Sequence, residues 1–319
     1  MDKVIIDGIS YAIPLLIIAI GGIYSERSGV TNLALEGLQG FGAFAGGLVF
    51  VLIQHNFAAG SSIPIYISLL AAMVGGALFA MIHAILCIYF MTDQVISGVV
   101  INLLSTALTG FLTSQINQSV FGGPSDKFML SVFPSVTVPG LSEIPILGAF
   151  FTNLYIFVPI LLVLVAYFWY LLYRTKFGMH LRACGDNPQA VAAAGIPVHK
   201  VRFIAVLISG ALSGIGGMCF AYSIIGAFSR AIYAGAGFLA IAALIFGNWQ
   251  IMPTFGACLI FGFARSGAYE LVKVLNLRSS FSDLAMILPY LLTLILLVFF
   301  SKNNQPPRAL GEIYDKGKR

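Results

Sequence analysis

The chain has 319 residues, of which 59% are hydrophobic and only 9% are charged, and its formal net charge is +5. This composition excludes a soluble domain, because no single core of this size could bury so many apolar side chains. A nucleic-acid-binding protein is also excluded: five of the 17 Lys and Arg residues lie between Arg174 and Arg202 and five more between Lys302 and Arg319, so they do not form a basic stripe.

Apolar runs long enough to cross about 30 Å of hydrocarbon recur along the chain and predict an all-α polytopic membrane protein. We predict nine crossings, with eight or ten as alternatives, some of them broken and the seventh short. They lie near residues 4–24, 35–54, 64–91, 95–117, 153–173, 203–223, 237–247, 252–270 and 282–300. The first run carries Asp7 and Pro14 and lacks an A-x-A site, which indicates a retained span and not a signal peptide. Residues 1–319 are therefore expected to form one transmembrane domain.

Three segments outside the spans set the expected topology: the outer loop 118–152, the cytoplasmic loop 174–202 and the cytoplasmic tail 301–319. The last two are basic and are cytoplasmic by the positive-inside rule, whereas the first carries only Lys127. The stretch 264–283 carries Arg265, Lys273 and Arg278 although it must lie outside. We therefore expect an amphipathic helix at the membrane surface there.

Polar residues inside the spans are the candidates for a solute path. Four amides and one carboxylate lie next to glycines or span ends, where unwound segments can line a polar path: Asn32, Glu36, Gln94, Asn102 and Asn248. Each amide is alternatively a hydrogen-bonding contact between helices, and Glu36 is alternatively a helix cap. His83 is interpreted as a neutral, hydrogen-bonded packing residue. Uncharged amides together with many aromatic side chains suit a neutral polar solute with a ring-shaped body.

Glycines indicate close packing and a distant internal duplication. Gly42 with Gly46, and Gly210 with Gly214, have the G-x-x-x-G spacing that lets helix backbones touch. The stretches "GVTNLALEGLQGFGAFAGG" and "GAGFLAIAALIFGNWQIMPTFGA" both interrupt an apolar run with glycine and an amide residue. Duplicated halves with broken helices at matching positions are typical of transporters, so the two stretches have either a common origin or a chance similarity of glycine-rich spans.

The stretch "GDNPQAVAAAGIP" at residues 185–197 predicts a short helix in the basic loop. Asn187 is a good N-cap, Pro188 fits the first helical position, and Gly195 suits the left-handed position after the last turn before Pro197 ends the helix. A helix of about two turns is marginal alone, so another element or partner must hold it. Its alanines present a small uncharged face that suits docking into a groove.

Several motifs are missing, and their absence limits the function. There is no G-x-x-x-x-G-K-[ST] stretch for nucleotide phosphates, no H-E-x-x-H and no G-x-S-x-G, and no paired carboxylates on one face of a span. We therefore predict no catalytic residues and no enzyme activity. The four cysteines have no metal-binding spacing, which predicts packing roles and no metal site. From a different class, an ion-coupled secondary carrier is the alternative, although the relay carboxylates it needs are missing.

Five stretches in order resemble the permease subunits of bacterial ABC importers in the ribose, branched-chain amino acid and nucleoside group. They are "SERSGVTNLALEG", "GAFAGG", "DQVISGVVINLL", "YRTKFGMHLRACGDNPQAVAAAGIPVHKVR" and "GFLAIAALIFGNW", and the resemblance covers residues 10–300. The chain is most similar to the branch that imports purine nucleosides with basic-membrane-protein-type lipoproteins. Its N-terminus is shorter than in ribose permeases, which favours that branch over sugars.

The resemblance implies a coupling helix at residues 187–195 that sits in a cleft of a separate ABC ATPase subunit. The residues that it assigns to this coupling are Arg182, Gly185, Asp186, Asn187, Pro188, Ala190, Ala193 and Gly195. ATP and Mg would bind to that ATPase, with no cofactor in this chain. The other implied partners are a second homologous permease in a heterodimer and an extracytoplasmic substrate-binding lipoprotein, at a bacterial plasma or inner membrane. The same importer class carrying riboflavin or a simple sugar is the alternative.

Overall fold

The computed structural model describes most of the chain between residues 2 and 275 and parts of the remainder. The residues outside the description are 1, 59, 131–134, 138, 141, 143–147, 149–151, 153, 276–286, 292–294, 296–303, 316, 318 and 319. The described part is mostly helical, as predicted.

Ten α-helices lie within residues 2–275. They are α1 (Asp2–Arg27), α2 (Leu35–Ile53), α3 (Ile63–Ala84), α4 (Gln94–Val120), α5 (Val158–Arg174), α6 (Lys176–Asp186), α7 (Pro188–Ala193), α8 (Val198–Phe220), α9 (Ala236–Phe246) and α10 (Ile251–Val274). Short π-helical turns continue α3 to Tyr89 and α8 to Ile225. Two small antiparallel pairs join β1 (Phe128–Met129) to β4 (Ala227–Phe228) and β2 (Ser135–Val136) to β3 (Leu154–Tyr155).

Six of these helices are long and apolar enough to cross a membrane, and a seventh crossing results if α5 and α6, bent by 68° to each other, form one span. The first eight predicted spans each coincide with a helix. Helix α5 has 17 residues, which is at the lower limit for a crossing, and α9 has only 11, too few for a full crossing. The ninth, 282–300, lies largely outside the described residues. The described part of the chain therefore carries six or seven crossings, fewer than the nine predicted.

Helix α1 forms the centre of the molecule. Residues 8–26 are buried without exception, because this stretch is apolar around the whole helix and not along one stripe. Helices α8, α9 and α10 pack around it, and α2 and α3 complete the core against α8. Glycines allow the closest of these contacts: a Cβ at Gly42 would collide with Gly214, and one at Gly76 with the carbonyl of Gly210. The close helix packing predicted from the G-x-x-x-G spacings is confirmed.

Two breaks in the helices lie in or directly before the two similar stretches, residues 29–47 and 235–257. Helix α1 ends at Arg27, and residues 28–34 (the first break) lead to α2 without regular helix. The π-helical turn after α8 ends at Ile225, Gly226 follows with φ +66°, and residues 226–235 (the second break) lead to α9. The first break lies almost wholly within the first similar stretch (29–47), whereas the second break reaches the second stretch (235–257) only at Gly235. The common origin of the two stretches stays a prediction.

The two basic segments lie at the same end of the molecule. In the tail, the amide of Ala309 donates to the carbonyl of Gly185 at 2.8 Å and that of Gly311 to Gly29 at 3.1 Å. We call this the basic end; the strand pair β1–β4 lies at the opposite end. A shared end is what the positive-inside rule requires of both segments, while the side of the membrane that it faces stays a prediction.

The prediction of a separate surface helix within 264–283 is wrong for the described residues of this stretch. Residues 264–274 simply continue α10, and no separate helix begins before Val274. The guanidinium of Arg265 lies 4.3 Å from the ring centre of Tyr11 and 5.5 Å from that of Tyr269. Stacking on aromatic faces stabilises this charge inside the helix bundle, so α10 does not have to end before it.

Candidate solute path and coupling surface

The capped helix of the basic loop forms as predicted. The side-chain oxygen of Asn187 accepts from the amide of Ala190 at 3.0 Å, and Pro188 opens α7. At the other end Gly195 has φ +79°. There the amide of Ile196 donates to the carbonyl of Val191 at 3.2 Å, which with the bond from Gly195 to Ala192 is a Schellman motif.

Helix α7 has one buried and one exposed face. Pro188 and Val191 pack inward against the protein, which supplies part of the support that so short a helix needs. The exposed face carries small or uncharged side chains, namely Gln189, Ala190, Ala193 and Ala194. This is the small face that the sequence predicted, and its docking to a partner stays a prediction.

Helix α6 leads to α7 and is fixed by close contacts. The guanidinium of Arg182 lies 5.5 Å from the ring centre of Tyr173, and its Nε donates to the carbonyl of Gly178 at 3.3 Å. Gly185 lies against the backbone of Arg27, where a Cβ would collide with the carbonyl oxygen. A side chain at position 185 would therefore push α6 away from α1.

Three of the predicted amides surround the first break. The side-chain oxygen of Gln94 accepts from the amide of Thr31 at 2.7 Å. Asn102 donates to the carbonyl of Leu33 at 2.8 Å and accepts from the amide of Gly37 at 2.7 Å. These side chains satisfy backbone groups that lost their helical partners, as buried polar groups require.

Asn32 lies within the first break and stabilises it from inside. Its side-chain oxygen accepts from the amide of Ala34 at 3.0 Å, and its nitrogen donates to the hydroxyl of Ser209 on α8 at 2.9 Å. The geometry of Asn32, Gln94 and Asn102 is therefore that of the hydrogen-bonding alternative. Their part in a solute path stays a prediction.

Glu36 joins the two breaks. Its side chain is 5% exposed, and its carboxylate accepts from the amides of Gly235 at 2.8 Å and Gly237 at 2.6 Å. These amides belong to the first turn of α9, whose N-terminus attracts negative charge. Gly237 is needed there, because a Cβ would collide with the backbone of Glu36. The residue thus caps α9, as in the helix-cap alternative, and its part in a solute path stays a prediction.

His83 is fully buried and bonded at both ring nitrogens. Its Nδ1 lies 2.8 Å from the hydroxyl of Ser97, and its Nε2 lies 3.3 Å from the carbonyl of Thr31. The interpretation as a hydrogen-bonded packing residue is confirmed. Like Gln94, the ring helps to hold the first break.

Asn248 lies apart from the other candidates, at the basic end. Both Asn248 and Trp249 have left-handed backbone conformations, with φ values of 52° and 54°. The side-chain oxygen of Asn248 accepts from the amide of Gln305 in the tail at 2.8 Å. The indole of Trp249 donates to Glu26 on α1 at 2.5 Å, so this turn anchors the end of α9 to the end of α1.

The structure also contains an aromatic cavity that the sequence analysis missed. A cavity of about 360 Å³ lies between α1, the second break and α10. Its walls include the side chains of Tyr11, Phe220, Tyr233, Tyr269 and Tyr290. A larger cavity of about 770 Å³ shares Tyr11, Arg265 and Tyr269 and lies beside the first residues of α1, away from the basic end. Because they share these lining residues, we call the two cavities together the aromatic recess.

Tyr233 shows why this recess was missed. Its ring packs onto Gly40 of α2, and its hydroxyl lies 2.9 Å from that of Ser105 and 3.0 Å from that of Thr109 on α4. The tyrosines of the recess come from segments far apart in the chain, so no local spacing relates them. The available signal was the hydroxyl residues of α4 at intervals of four.

Comparison with known proteins agrees with the resemblance found in the sequence. The profile of the family described as "Branched-chain amino acid transport system / permease component" matches residues 4–297. The guanosine ABC transporter permease protein NupQ of Bacillus subtilis is 40% identical, over 97% of this chain and 95% of its own length. The nucleoside ABC transporter permease protein NupC of Lactococcus lactis is 36% identical, over 100% of this chain and 98% of its own length.

A second Bacillus subtilis protein, the guanosine ABC transporter permease protein NupP, is 25% identical over 95% of this chain and 82% of its own length. The chain is thus similar to two different guanosine permease proteins of one organism. No solved structure matches the chain.

Proposed function

Because the chain belongs to the family of branched-chain amino acid transport system permease components, we propose that it is the permease subunit of an ATP-driven ABC importer that moves purine nucleosides into the cytoplasm. The chain is a multi-pass integral protein of the cell membrane and a transport component, not an enzyme. One observation supports nucleosides as the cargo. NupQ and NupC, which cover this chain almost completely at 40% and 36% identity, are named for guanosine and for nucleosides.

The aromatic recess supports a neutral heterocyclic cargo. Tyrosine rings present flat apolar faces on which a purine can stack, and hydroxyls that can bond to a sugar. Among the described residues of the 360 Å³ cavity, Arg265 is the permanent cation, and its guanidinium already stacks on Tyr11. The adjoining 770 Å³ cavity also contains Lys3 and Lys273, together with the carboxylates of Asp7 and Glu270. A nucleotide needs Arg or Lys side chains free to clamp its phosphate. We therefore propose that the 360 Å³ cavity accepts nucleosides and refuses nucleotides.

The coupling helix and the ATPase belong to the same proposal. The exposed face of α7 would sit in a cleft of an ABC ATPase subunit, which binds ATP and Mg. Closure of two such ATPase domains would move α7 as a rigid body and switch the permease between inward-open and outward-open states. Gly185 and Arg182 would hold α6 in the approach to this helix.

The remaining partners are a second permease and a receptor. The similarity to both NupQ and NupP supports a heterodimer of this chain with a homologous permease. An extracytoplasmic substrate-binding lipoprotein would deliver the cargo. Of the predicted crossings, the short α9 and the stretch 282–300 would complete the nine.

Uptake of radiolabelled guanosine by cells that express all four subunits tests this function. Unlabelled inosine is expected to compete, whereas guanosine monophosphate, riboflavin and ribose are not. Cells without the ATPase subunit are the control and should take up nothing above background. Competition by riboflavin or ribose alone would assign the alternative cargo, and uptake that persists without the ATPase would assign an ion-coupled carrier.

A further inference from the structure

The tail after the last predicted span is folded against the basic end. Besides the bonds from Ala309 to Gly185 and from Gly311 to Gly29, the amide of Gln305 donates to Asn248 at 2.8 Å. Ala309 is 3% exposed and Tyr314 is 7% exposed. Residues 304–315 (the folded tail) are thus part of the packed structure, held to three separate segments of the chain.

Arg202 at the start of α8 fixes the folded tail in position. The side chain is 3% exposed, and its guanidinium donates to the carbonyls of Ser28 at 3.0 Å, Glu312 at 2.9 Å and Cys184 at 3.5 Å. These carbonyls belong to the first break, the tail and α6. Because the guanidinium is planar and rigid, one side chain sets the relative position of all three segments.

The outward side of the folded tail adjoins α7. Arg308, Glu312 and Ile313 are exposed, and the side chain of Ile313 is 49% exposed although it is apolar. These residues and residues 186–189 at the start of α7 line one cavity of about 210 Å³. A protein that contacts Asn187 or Gln189 therefore also meets the tail.

We propose that Arg308, Glu312 and Ile313 of the folded tail are part of the surface on which the ATPase subunit docks. This inference rests on the proposed function, because the partner is the one assigned to α7. Its support is the continuity of the tail with the exposed face of α7 and the rigid attachment by Arg202. A surface that is already ordered loses little conformational entropy when a partner binds. The partner is expected to offer an apolar contact for Ile313 between charged groups that complement Arg308 and Glu312.

Binding of the separately purified cognate ATPase to the permease heterodimer in nanodiscs tests the proposal. Ile313→Glu and Arg308→Glu are expected to weaken this binding about tenfold or more, because one buries a carboxylate and the other reverses a charge at the interface. Both side chains are exposed, so neither change disturbs the packed core. Ile313→Leu and Gln118→Glu, an exposed position at the end of α4 away from the basic end, are the matched controls and should bind as the parent does.

The outcomes separate this inference from the proposed function. If Ala193→Asp on α7 weakens binding while both tail variants bind as the parent does, the tail only clamps the basic end and the inference is overturned. If Ala193→Asp and both tail variants all bind the ATPase as the parent does, the ATPase docks on another surface and the inference is also overturned. If the unaltered heterodimer does not bind the ATPase at all, the proposed function itself fails.

Discussion

At the scale of single residues, several polar side chains of the spans bond to the backbone of a break. The apolar runs leave few groups that can satisfy an unwound segment, and Gln94, Asn102 and His83 each supply one for residues 31–37. An unpaired amide or carbonyl in an apolar environment is costly, so these side chains hold the break in one geometry. Glu36 does the same for the first turn of α9. Residues predicted to line a solute path therefore form hydrogen bonds to backbone groups of the breaks.

Asn102→Leu is expected to lower both stability and transport. It leaves the carbonyl of Leu33 and the amide of Gly37 without this partner, at a cost of about 1–3 kcal/mol for each group. The thermal unfolding midpoint of the purified heterodimer should fall, and the maximal rate of guanosine uptake should fall more than its apparent affinity.

Asn248→Leu is the comparison, since it removes one exposed contact with Gln305 and none with the first break, and it places a Leu at φ 52° at a cost of about 1–2 kcal/mol. It should lower the maximal uptake rate as well, with a smaller shift of the midpoint. An Asn102→Leu protein that unfolds at the parental temperature would contradict the role assigned to this side chain.

At the scale of elements, α7 is stabilised by local caps at both ends and by packing of one face against the rest of the protein. Its six residues are too few to persist in water, but Asn187 caps one end and Gly195 the other, and Val191 is buried. The caps satisfy the terminal backbone groups, while the buried face fixes the direction in which the alanines point. The result is a rigid, uncharged projection at the basic end.

Ala193→Asp is expected to uncouple transport from ATP hydrolysis. The position is exposed, so the chain should insert and fold normally, but an unpaired carboxylate buried in the groove of a partner costs several kcal/mol. Guanosine-stimulated ATP hydrolysis by the reconstituted importer should drop to its basal rate, whereas Ala193→Ser should behave as the parent.

A change at the other cap should act in the same direction through the backbone. Gly195→Val places a β-branched residue at φ +79°, at a cost of about 1–2 kcal/mol, although the space around the position is open. Gly195→Asn, which tolerates this conformation, is the control. Stimulation at the parental rate in both Ala193→Asp and Gly195→Val would argue against docking by shape.

At the scale of the whole molecule, charge and structure agree on two distinct ends. The basic loop and the tail meet around Arg202, whereas β1–β4 and the first residues of α1 lie at the other end. The positive-inside rule predicts that the basic end lies in the cytoplasm. The aromatic recess lies away from the basic end and is therefore predicted to face the outside.

Cysteine labelling in a chain without its native cysteines is expected to show this orientation. Gln189→Cys should react with a membrane-impermeant thiol reagent only from the cytoplasmic side, and Ser125→Cys only from the outside. The native thiols are buried, and burial raises the pKa of Cys184 to about 11, so the parent should label weakly and serve as a blank. Reversed labelling would invert every assignment of inside and outside.

The sequence by itself determined the features that depend on neighbouring residues. Hydropathy over about 20 residues identified the membrane class and the helices, and the caps of α7 followed from Asn187 and Gly195, because these signals act within one or two turns. The motifs that carry the resemblance are equally local. Only the tertiary structure decided where the polar side chains bond: Gln94 and Asn102 meet the first break across 63 to 69 residues, and Asn248 meets the tail across 57. Such partners are chosen by how the helices pack, and a single amide is compatible with a solute path, a helix contact or a tail anchor until that packing brings its partner near.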